Sequence, residues 1–127
     1  RKRRGVFSVH IRSSCKIQIT KEKVEYYAEL SGDTNAIHLD EKEAKHNGYA
    51  KPIAHGLLLM GLAMEVVSNW LDENFYVSDY EMKFLKPVYV DTTIEMIVEK
   101  IEGNSFLLEG LVNEEIVVKG KLQRNHL

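Results

Sequence analysis

The strongest constraint on the fold of this sequence is an apolar stretch at residues 53–71, which follows Pro52. A proline is tolerated at the start of a helix, and the stretch is long enough for several helical turns. Its apolar residues leave almost no polar face: Leu57, Leu58, Leu59, Met60, Leu62, Ala63, Met64, Val66, Val67 and Trp70. A helix that is apolar on every side must be enclosed by the rest of the protein. Because His55 and Glu65 interrupt the stretch, the sequence predicts a long buried helix and no membrane span.

The residues after this helix have the pattern of antiparallel strands. Residues 75–88 alternate the apolar Tyr80, Met82 and Phe84 with charged neighbours, which places one face of a strand against a core. Further strands are predicted at 92–101, 105–112 and 115–122. The turns between them are predicted at Val90-Asp91, Gly103-Asn104 and Asn113-Glu114.

The part of the chain before the long helix carries both strand and helix signals. Alternating apolar and polar residues predict strands at 6–11 and 16–20. Thr20 is placed to cap a helix over 21–31, and Gly32 is placed to end it.

A short helix is predicted from Glu41 to about His46, because Asp40-x-x-Glu43 resembles a capping box and Asn47-Gly48 follows. A strand, several helices and then a run of strands describe an α+β fold, in which an antiparallel sheet wraps around one long buried helix. The 127 residues suffice for one core, so residues 1–127 are predicted to form a single domain.

Charge and cysteine content restrict the partners and the compartment. A formal net charge of −2 and a pI near 6.2 give no overall attraction to nucleic acid. The one basic run, Arg1-Lys2-Arg3-Arg4, is either a phosphate-binding arm or a solvated terminus, and we expect residues 1–5 to be disordered. The single cysteine, Cys15, can form no intramolecular disulfide, and the N-terminus lacks an apolar signal region. The cytoplasm is therefore the expected compartment.

The polar residues that need a chemical explanation lie between the first helix and the long one: Asp33, Asn35, His38, His55 and Gly56. A carboxylate and an imidazole five positions apart in a loop can act on one water as a general acid–base pair. No His, Cys and Asp cluster has the spacing of a metal site, so no metal is expected. Alternatively, Asp33 and Asn35 are ordinary turn formers and His38 is a partly buried residue with satisfied hydrogen bonds.

Gly56 lies near the start of the long helix, where backbone N–H groups have no partner within the helix. Such donors suit a carbonyl that gains negative charge in a transition state. Glycine at this position also allows a helix and a sheet to pack closely. The sequence leaves both explanations open.

Three segments resemble the (R)-specific enoyl-CoA hydratases and the wider MaoC-like dehydratases. They are YAELSGDTNAIH at 27–38, with Ala44 six residues further on, then PIAHGLL at 52–58, and then Phe84-x-Lys86-Pro87-Val88. The resemblance covers residues 16–122. It implies a hot-dog fold and a hydro-lyase of fatty acid metabolism. Such an enzyme interconverts a trans-2-enoyl thioester and the (R)-3-hydroxyacyl thioester by moving one water.

The resemblance also implies roles for individual residues. Asp33 and His38 match the catalytic pair that activates the water, and Asn35 matches the residue that braces their loop. Gly56 matches the backbone donor to the thioester carbonyl, and His55 matches a motif position that we expect to be structural. No cofactor is expected, because the reaction transfers no hydride.

Two positions depart from the family pattern. Ala36 stands where proline is usual, which should leave the loop less rigid. Met64 stands where some members have a serine, which bears on the substrate preference. If Met64 faces the acyl slot, shortening it should favour longer acyl chains, whereas if it faces the core, shortening it should lower stability.

The expected partner is an acyl-CoA or acyl-carrier thioester, whose chain needs an apolar slot. Candidates for that slot, each also a candidate core residue, are Leu57, Met60, Met64, Tyr80 and Phe84. Candidates for contacts with the carrier's phosphates are Lys51, Lys83 and Lys86. Unpaired sheet edges in a lone protomer predict a homodimer.

Two other functions are compatible with the same fold. A thioesterase would use a carboxylate on the long helix, where Glu65 is the only one. A non-catalytic acyl-thioester binder would explain the two departures from the family pattern. The retained Asp33, Asn35 and His38 favour an enzyme.

Overall fold

A computed structural model describes residues 11–127. Residues 1–5 and the predicted strand at 6–11, apart from Ile11, lie outside the described part of the chain. The described chain begins with strand β1 (Ile11–Ile19) and helices α1 (Lys21–Ser31), α2 (Ala36–Leu39), α3 (Glu41–His46) and α4 (Gly56–Val67). A 3-10 turn over Ser68–Trp70 leads to strands β2 (Phe75–Phe84), β3 (Thr92–Lys100), β4 (Ser105–Val112) and β5 (Glu115–His126).

The strands form one five-stranded antiparallel sheet in the order β1-β3-β4-β5-β2. The predicted turns at Asp91, Gly103 and Asn113-Glu114 are confirmed, since all four residues have positive φ. Asn113 and Glu114, at φ 51° and 68°, form the two-residue connection of the β4–β5 hairpin, where positive φ at both positions matches the twist of the strands. β1 and β2 are the two edges of the sheet.

The predicted caps of α1 and α3 are confirmed. The Thr20 side chain accepts a hydrogen bond from the Lys23 N–H, and Gly32 ends α1 in the left-handed conformation at φ 81°. The Asp40 side chain accepts from two N–H groups in the first turn of α3. Short polar side chains at these positions satisfy N–H groups that the helix itself leaves unpaired.

The long helix is shorter than predicted at both ends. α4 begins at Gly56 and not at residue 53, because Ile53 pairs with Tyr89 in an isolated β-bridge and the Ala54 N–H donates to Val88 O at 2.7 Å. These contacts hold residues 53–54 in an extended conformation. At the other end α4 stops at Val67 and the chain tightens into the 3-10 turn.

The strand predicted at 75–88 ends at Phe84. The N–H groups of Leu85 and Lys86 both donate to Val117 O, which bends the chain out of the sheet. Pro87 has no N–H with which to continue the ladder. β5 runs to His126, beyond the predicted end at residue 122, because it pairs with β2 as far as Phe75.

The core lies between α4 and one face of the sheet, which confirms the predicted α+β arrangement. α4 buries Leu59, Ala63, Val66 and Val67, and the sheet contributes Ile94, Met96, Phe106, Leu108, Val118 and Leu122. Enclosure of α4 is incomplete, since Leu57 in its first turn is 68% exposed. The side of α4 that packs on the sheet is buried as predicted, and its first turn is partly exposed. Within residues 11–127, no helix is both long and apolar enough to cross a membrane.

Candidate active site

The loop between α1 and α2 is ordered by short polar side chains that bond to nearby backbone N–H groups. Ser31 Oγ accepts from the Asp33 N–H at 3.1 Å, and Asp33 Oδ1 accepts from the Asn35 N–H at 3.3 Å. Asn35 Oδ1 then accepts from the Ile37 N–H at 3.1 Å and caps α2. Such bonds favour turns over regular structure, so the loop delivers the chain into the single turn of α2.

His38 lies on α2, a four-residue helix that sequence reasoning did not predict. Its Nδ1–H donates to Ile53 O at 2.7 Å, because a carbonyl can only accept. Nε2 is then free to take up a proton, and it lies 3.9 Å from Asp33 Oδ2. That distance is too long for a direct hydrogen bond, and it allows both groups to contact one water.

His55 completes this cluster, and its place in it was not visible from the sequence. His55 is 3% exposed, and its Nε2–H donates to Asp33 O at 3.0 Å. The ring stacks on that of His38 with 3.7 Å between centroids, and the Tyr27 ring meets it edge-on at 4.8 Å. Burial lowers the pKa of His55 below its usual 6.5, and the neighbouring His38 acts in the same direction, against the opposing effect of Asp33.

Asp33, His38 and His55 offer three potential metal ligands within 4.8 Å of one another. The sequence showed no such cluster, because Asp33 and His55 are 22 residues apart. The rings of the two histidines are nearly parallel, at 22°, so their in-plane nitrogen lone pairs do not converge on one point between them. Each ring also has one nitrogen committed to a carbonyl. The donor geometry therefore suits proton transfer better than a metal site.

The first turn of α4 borders the same cluster. His55 precedes Gly56 as the N-cap residue and makes no side-chain capping bond. The N–H groups of the first turn have no partner within the helix and point beyond its end. A Cβ on Gly56 would lie 3.0 Å from the Phe84 ring. Close packing, one of the two explanations of this glycine, is therefore confirmed.

Two adjoining cavities meet at the cluster and share His38, Gly56 and Phe84. The first, of about 370 Å³, is completed by Tyr27, Ser31, Asp33, His55, Leu57 and Met60. The second, of about 350 Å³, extends along residues 84–88 and is also lined by Tyr49, Ile53, Ala54 and Leu59. Asp33 and His38 thus lie in a groove that continues on both sides of them.

The candidates for the acyl slot fall into two groups. Leu57, Met60 and Phe84 line the first cavity. Tyr80 and Met64 line neither cavity, and both pack against the core. The Tyr80 hydroxyl donates to Met60 O at 2.7 Å, and burial raises the pKa of Tyr80 to about 12.

The three candidate lysines also differ in position. Lys86 lines the second cavity and is paired with Glu115. Lys51 lies 3.8 Å from Asp91, and neither Lys51 nor Lys83 lines either cavity. Of the three, Lys86 is the one placed to meet a ligand in the groove.

Comparison with known proteins places this site in context. A sequence model of one protein family, described as MaoC like domain, matches residues 8–119. The mitochondrial 3-hydroxyacyl-[acyl-carrier-protein] dehydratase of Arabidopsis thaliana is 30% identical over 82 residues, which cover 65% of this chain and 49% of that protein. The 3-hydroxybutyryl-CoA dehydratase of Methylorubrum extorquens is 35% identical over 89 residues, covering 68% of this chain and 56% of that protein. The chain spans about half the length of these curated relatives.

Solved structures share the architecture. The (R)-hydratase from A. caviae involved in PHA biosynthesis superimposes with a TM-score of 0.82 at 21% identity, over 94% of this chain and 97% of that one. At this identity the likeness shows the fold. The predicted hot-dog fold is confirmed.

Proposed function

We propose that this chain, which belongs to the MaoC-like domain family, catalyses the reversible hydration of a trans-2-enoyl thioester to the (R)-3-hydroxyacyl thioester. The observation that carries the proposal is the pairing of His38 Nε2 with Asp33 Oδ2 at 3.9 Å, in a groove bordered by the start of α4. Relatives named as dehydratases of 3-hydroxyacyl thioesters support this reaction class.

The proposed reaction begins with a water held between Asp33 and His38. The His38 Nδ1–H bond to Ile53 O leaves Nε2 available to accept a proton from that water. The water oxygen bonds to C3 of the substrate as its proton passes to the pair. A proton then passes from the pair to C2, so that one water is added and the two residues return to their starting state. Dehydration uses the same groups in reverse.

Negative charge develops on the thioester oxygen during this addition. The Gly56 N–H, at the positive end of α4, is our candidate donor to that oxygen. A fixed donor stabilises such charge most in a site from which water is largely excluded. The acyl chain is proposed to lie along Leu57, Met60 and Phe84 in the first cavity.

Incubation with crotonyl-CoA tests this function against its two rivals. Loss of the conjugated-enoyl absorbance without release of free thiol is the expected result. Thiol release would indicate a thioesterase, and binding without either change would indicate an acyl-thioester binder. The structure gives the thioesterase little support, because Glu65 is exposed and lines neither cavity.

A homodimer is expected in solution, because among residues 11–127 no strand pairs with the outer side of β2, and the exposed apolar residues Leu57, Phe84 and Leu85 lie near it. A second copy related by a two-fold axis would cover this surface. Sedimentation equilibrium at micromolar concentration should give twice the mass of the chain. A monomer under these conditions would refute the expectation.

Met60→Ala is expected to shift kcat/KM toward longer enoyl chains, because it enlarges the first cavity. Two more buried methylenes at about 0.8 kcal/mol each correspond to roughly a tenfold change. Met64→Ala is the matched control: because Met64 packs against the core, it should leave the chain-length profile unchanged and lower the unfolding midpoint. If Met64→Ala shifted the chain-length profile and Met60→Ala did not, the acyl slot would lie beside Met64 and not beside Met60.

The carrier and the compartment are further parts of the proposal. Either coenzyme A or an acyl carrier protein would bring a phosphate within reach of Lys86. The cytoplasm remains the expected compartment, although the A. thaliana relative is named as mitochondrial. Cell fractionation distinguishes these locations.

A further inference from the structure

We propose that His55 is a positioning residue. It holds Asp33 and His38 in place relative to each other, and its ring is neutral when it does so. This inference rests on the proposed function and goes beyond it, since that scheme gives His55 no part in moving a proton. Its motif position led us to expect only a structural role.

Asp33 and His38 both hydrogen-bond to the extended segment 53–55. Ile53 O accepts from His38 Nδ1–H, and the His55 side chain donates to Asp33 O. The segment is itself anchored to residues 88–89, through the Ala54 N–H and the Ile53 bridge. Because α4 begins at Gly56 and not at residue 53, Ile53 O is available to His38. In a helix that began at residue 53, Ile53 O would accept a hydrogen bond from the helix backbone and would be lost as the acceptor for His38.

His55 ties the loop that carries Asp33 to a distant part of the chain, which the local hydrogen bonds of the loop do not do. The Asp33 side chain is 53% exposed, and the side-chain hydrogen bonds within its loop join residues only two positions apart. The bond from His55 Nε2 to Asp33 O spans 22 residues and ties this loop to the start of α4. The stacked His55 ring also covers one face of the His38 ring and restricts its rotation.

The neutral state of His55 follows from what surrounds it. The titratable groups that face its ring are Tyr27 from α1, Asp33 from the loop and His38 from α2. Nδ1 is buried and has no hydrogen-bond partner among residues 11–127. A proton there would place a charge without an acceptor directly against His38, and the lowered pKa of His55 agrees with this geometry.

His55→Phe and His55→Gln separate positioning from stability. Phenylalanine keeps a ring but removes the donor to Asp33 O, so kcat should fall on the order of 10²-fold with KM nearly unchanged. Glutamine keeps an N–H donor and should recover part of that loss. The control Phe106→Leu weakens the core beside Trp70, beyond the C-terminal end of α4, and should lower the unfolding midpoint without lowering kcat of the folded enzyme. Wild-type kcat in both His55 variants, or equal losses in all three variants, would overturn the proposal.

Two readouts do not depend on the reaction, so they decide the proposal even if crotonyl-CoA is not hydrated. The first is the amide NMR spectrum of the loop. His55→Phe should shift and broaden the Thr34 and Asn35 amide signals, whereas His55→Gln should restore them. Unchanged signals in His55→Phe would contradict the positioning role.

The second readout is stability against pH. Because folding lowers the pKa of His55, the unfolded chain binds its proton first, and wild type loses this part of its stability as the pH falls below 6.5. His55→Gln has no histidine at this position and lacks that loss. The difference between the unfolding midpoints of wild type and His55→Gln should therefore become smaller as the pH falls. A constant difference would contradict the neutral state.

Discussion

Asp33→Asn is expected to lower kcat for hydration by about 10³-fold, because general acid–base groups contribute roughly 10²–10⁴-fold. Asparagine keeps the size of the side chain and an oxygen that can accept from the Asn35 N–H, but it cannot take a proton. His38→Ala should cause a loss of similar size. Steady-state kinetics on purified variants, with folding checked by circular dichroism, measures both effects.

The double variant should be little worse than the poorer single variant, because both residues act on the same water. Asp72→Asn and His46→Ala serve as controls, since both side chains are exposed and line neither cavity. They should keep wild-type kcat. Near-normal turnover in folded Asp33→Asn or His38→Ala would remove the pair from the mechanism, and fully additive losses would mean that the two residues act independently.

Gly56→Pro is expected to lower kcat by about 10²–10³-fold, the usual cost of losing one donor to a developing oxyanion. Gly56 is the first residue of α4, where a proline removes an N–H that has no helical partner. The preceding His55 is at φ −67° and ψ 141°, a conformation that proline allows in its neighbour. The variant should therefore fold and lack the donor.

Gly56→Ala is the matched control for this variant. It introduces the same Cβ, 3.0 Å from the Phe84 ring, and it keeps the N–H. Phe84 is 44% exposed and can move, so alanine should change KM more than kcat. The ratio of kcat between the alanine and proline variants then separates the loss of the N–H from the effect of the added Cβ. Equal kcat values in the two variants would show that Gly56 serves only close packing.

Local signals account for the part of the fold that was predicted correctly. The caps at Thr20 and Asp40 and the turn at Asn113-Glu114 depend on residues that are neighbours in the chain, so their chemistry is readable from the sequence. The alternating pattern likewise predicted the strands β3 and β4 almost to the residue.

Contacts distant in sequence account for what was missed. Residues 53–54 are apolar and follow a proline, as a helix start would be, and only their bonds to Val88 and Tyr89 make them extended. The same bonds place Ile53 O beneath His38. No local pattern contains this information.

The candidate site, like the fold, could be predicted only in part from the sequence. The motif resemblance directed attention to Asp33 and His38, but it did not show that the His55 ring lies against His38. Met60 and Met64 are one helical turn apart and look alike in the sequence. Their positions along α4 distinguish them: Met60 lines the first cavity, whereas Met64 lies one turn further on and packs against the core.

The most direct test of the central claim is to incubate the protein with crotonyl-CoA in heavy-oxygen water and to determine where the label enters and which enantiomer forms. The proposed function predicts one labelled oxygen, in the hydroxyl at C3 of the (R)-3-hydroxybutyryl thioester, and no labelled product with the Asp33→Asn, His38→Ala double variant. Label in the carboxylate of a free acid, or equal labelling by the double variant, would contradict it.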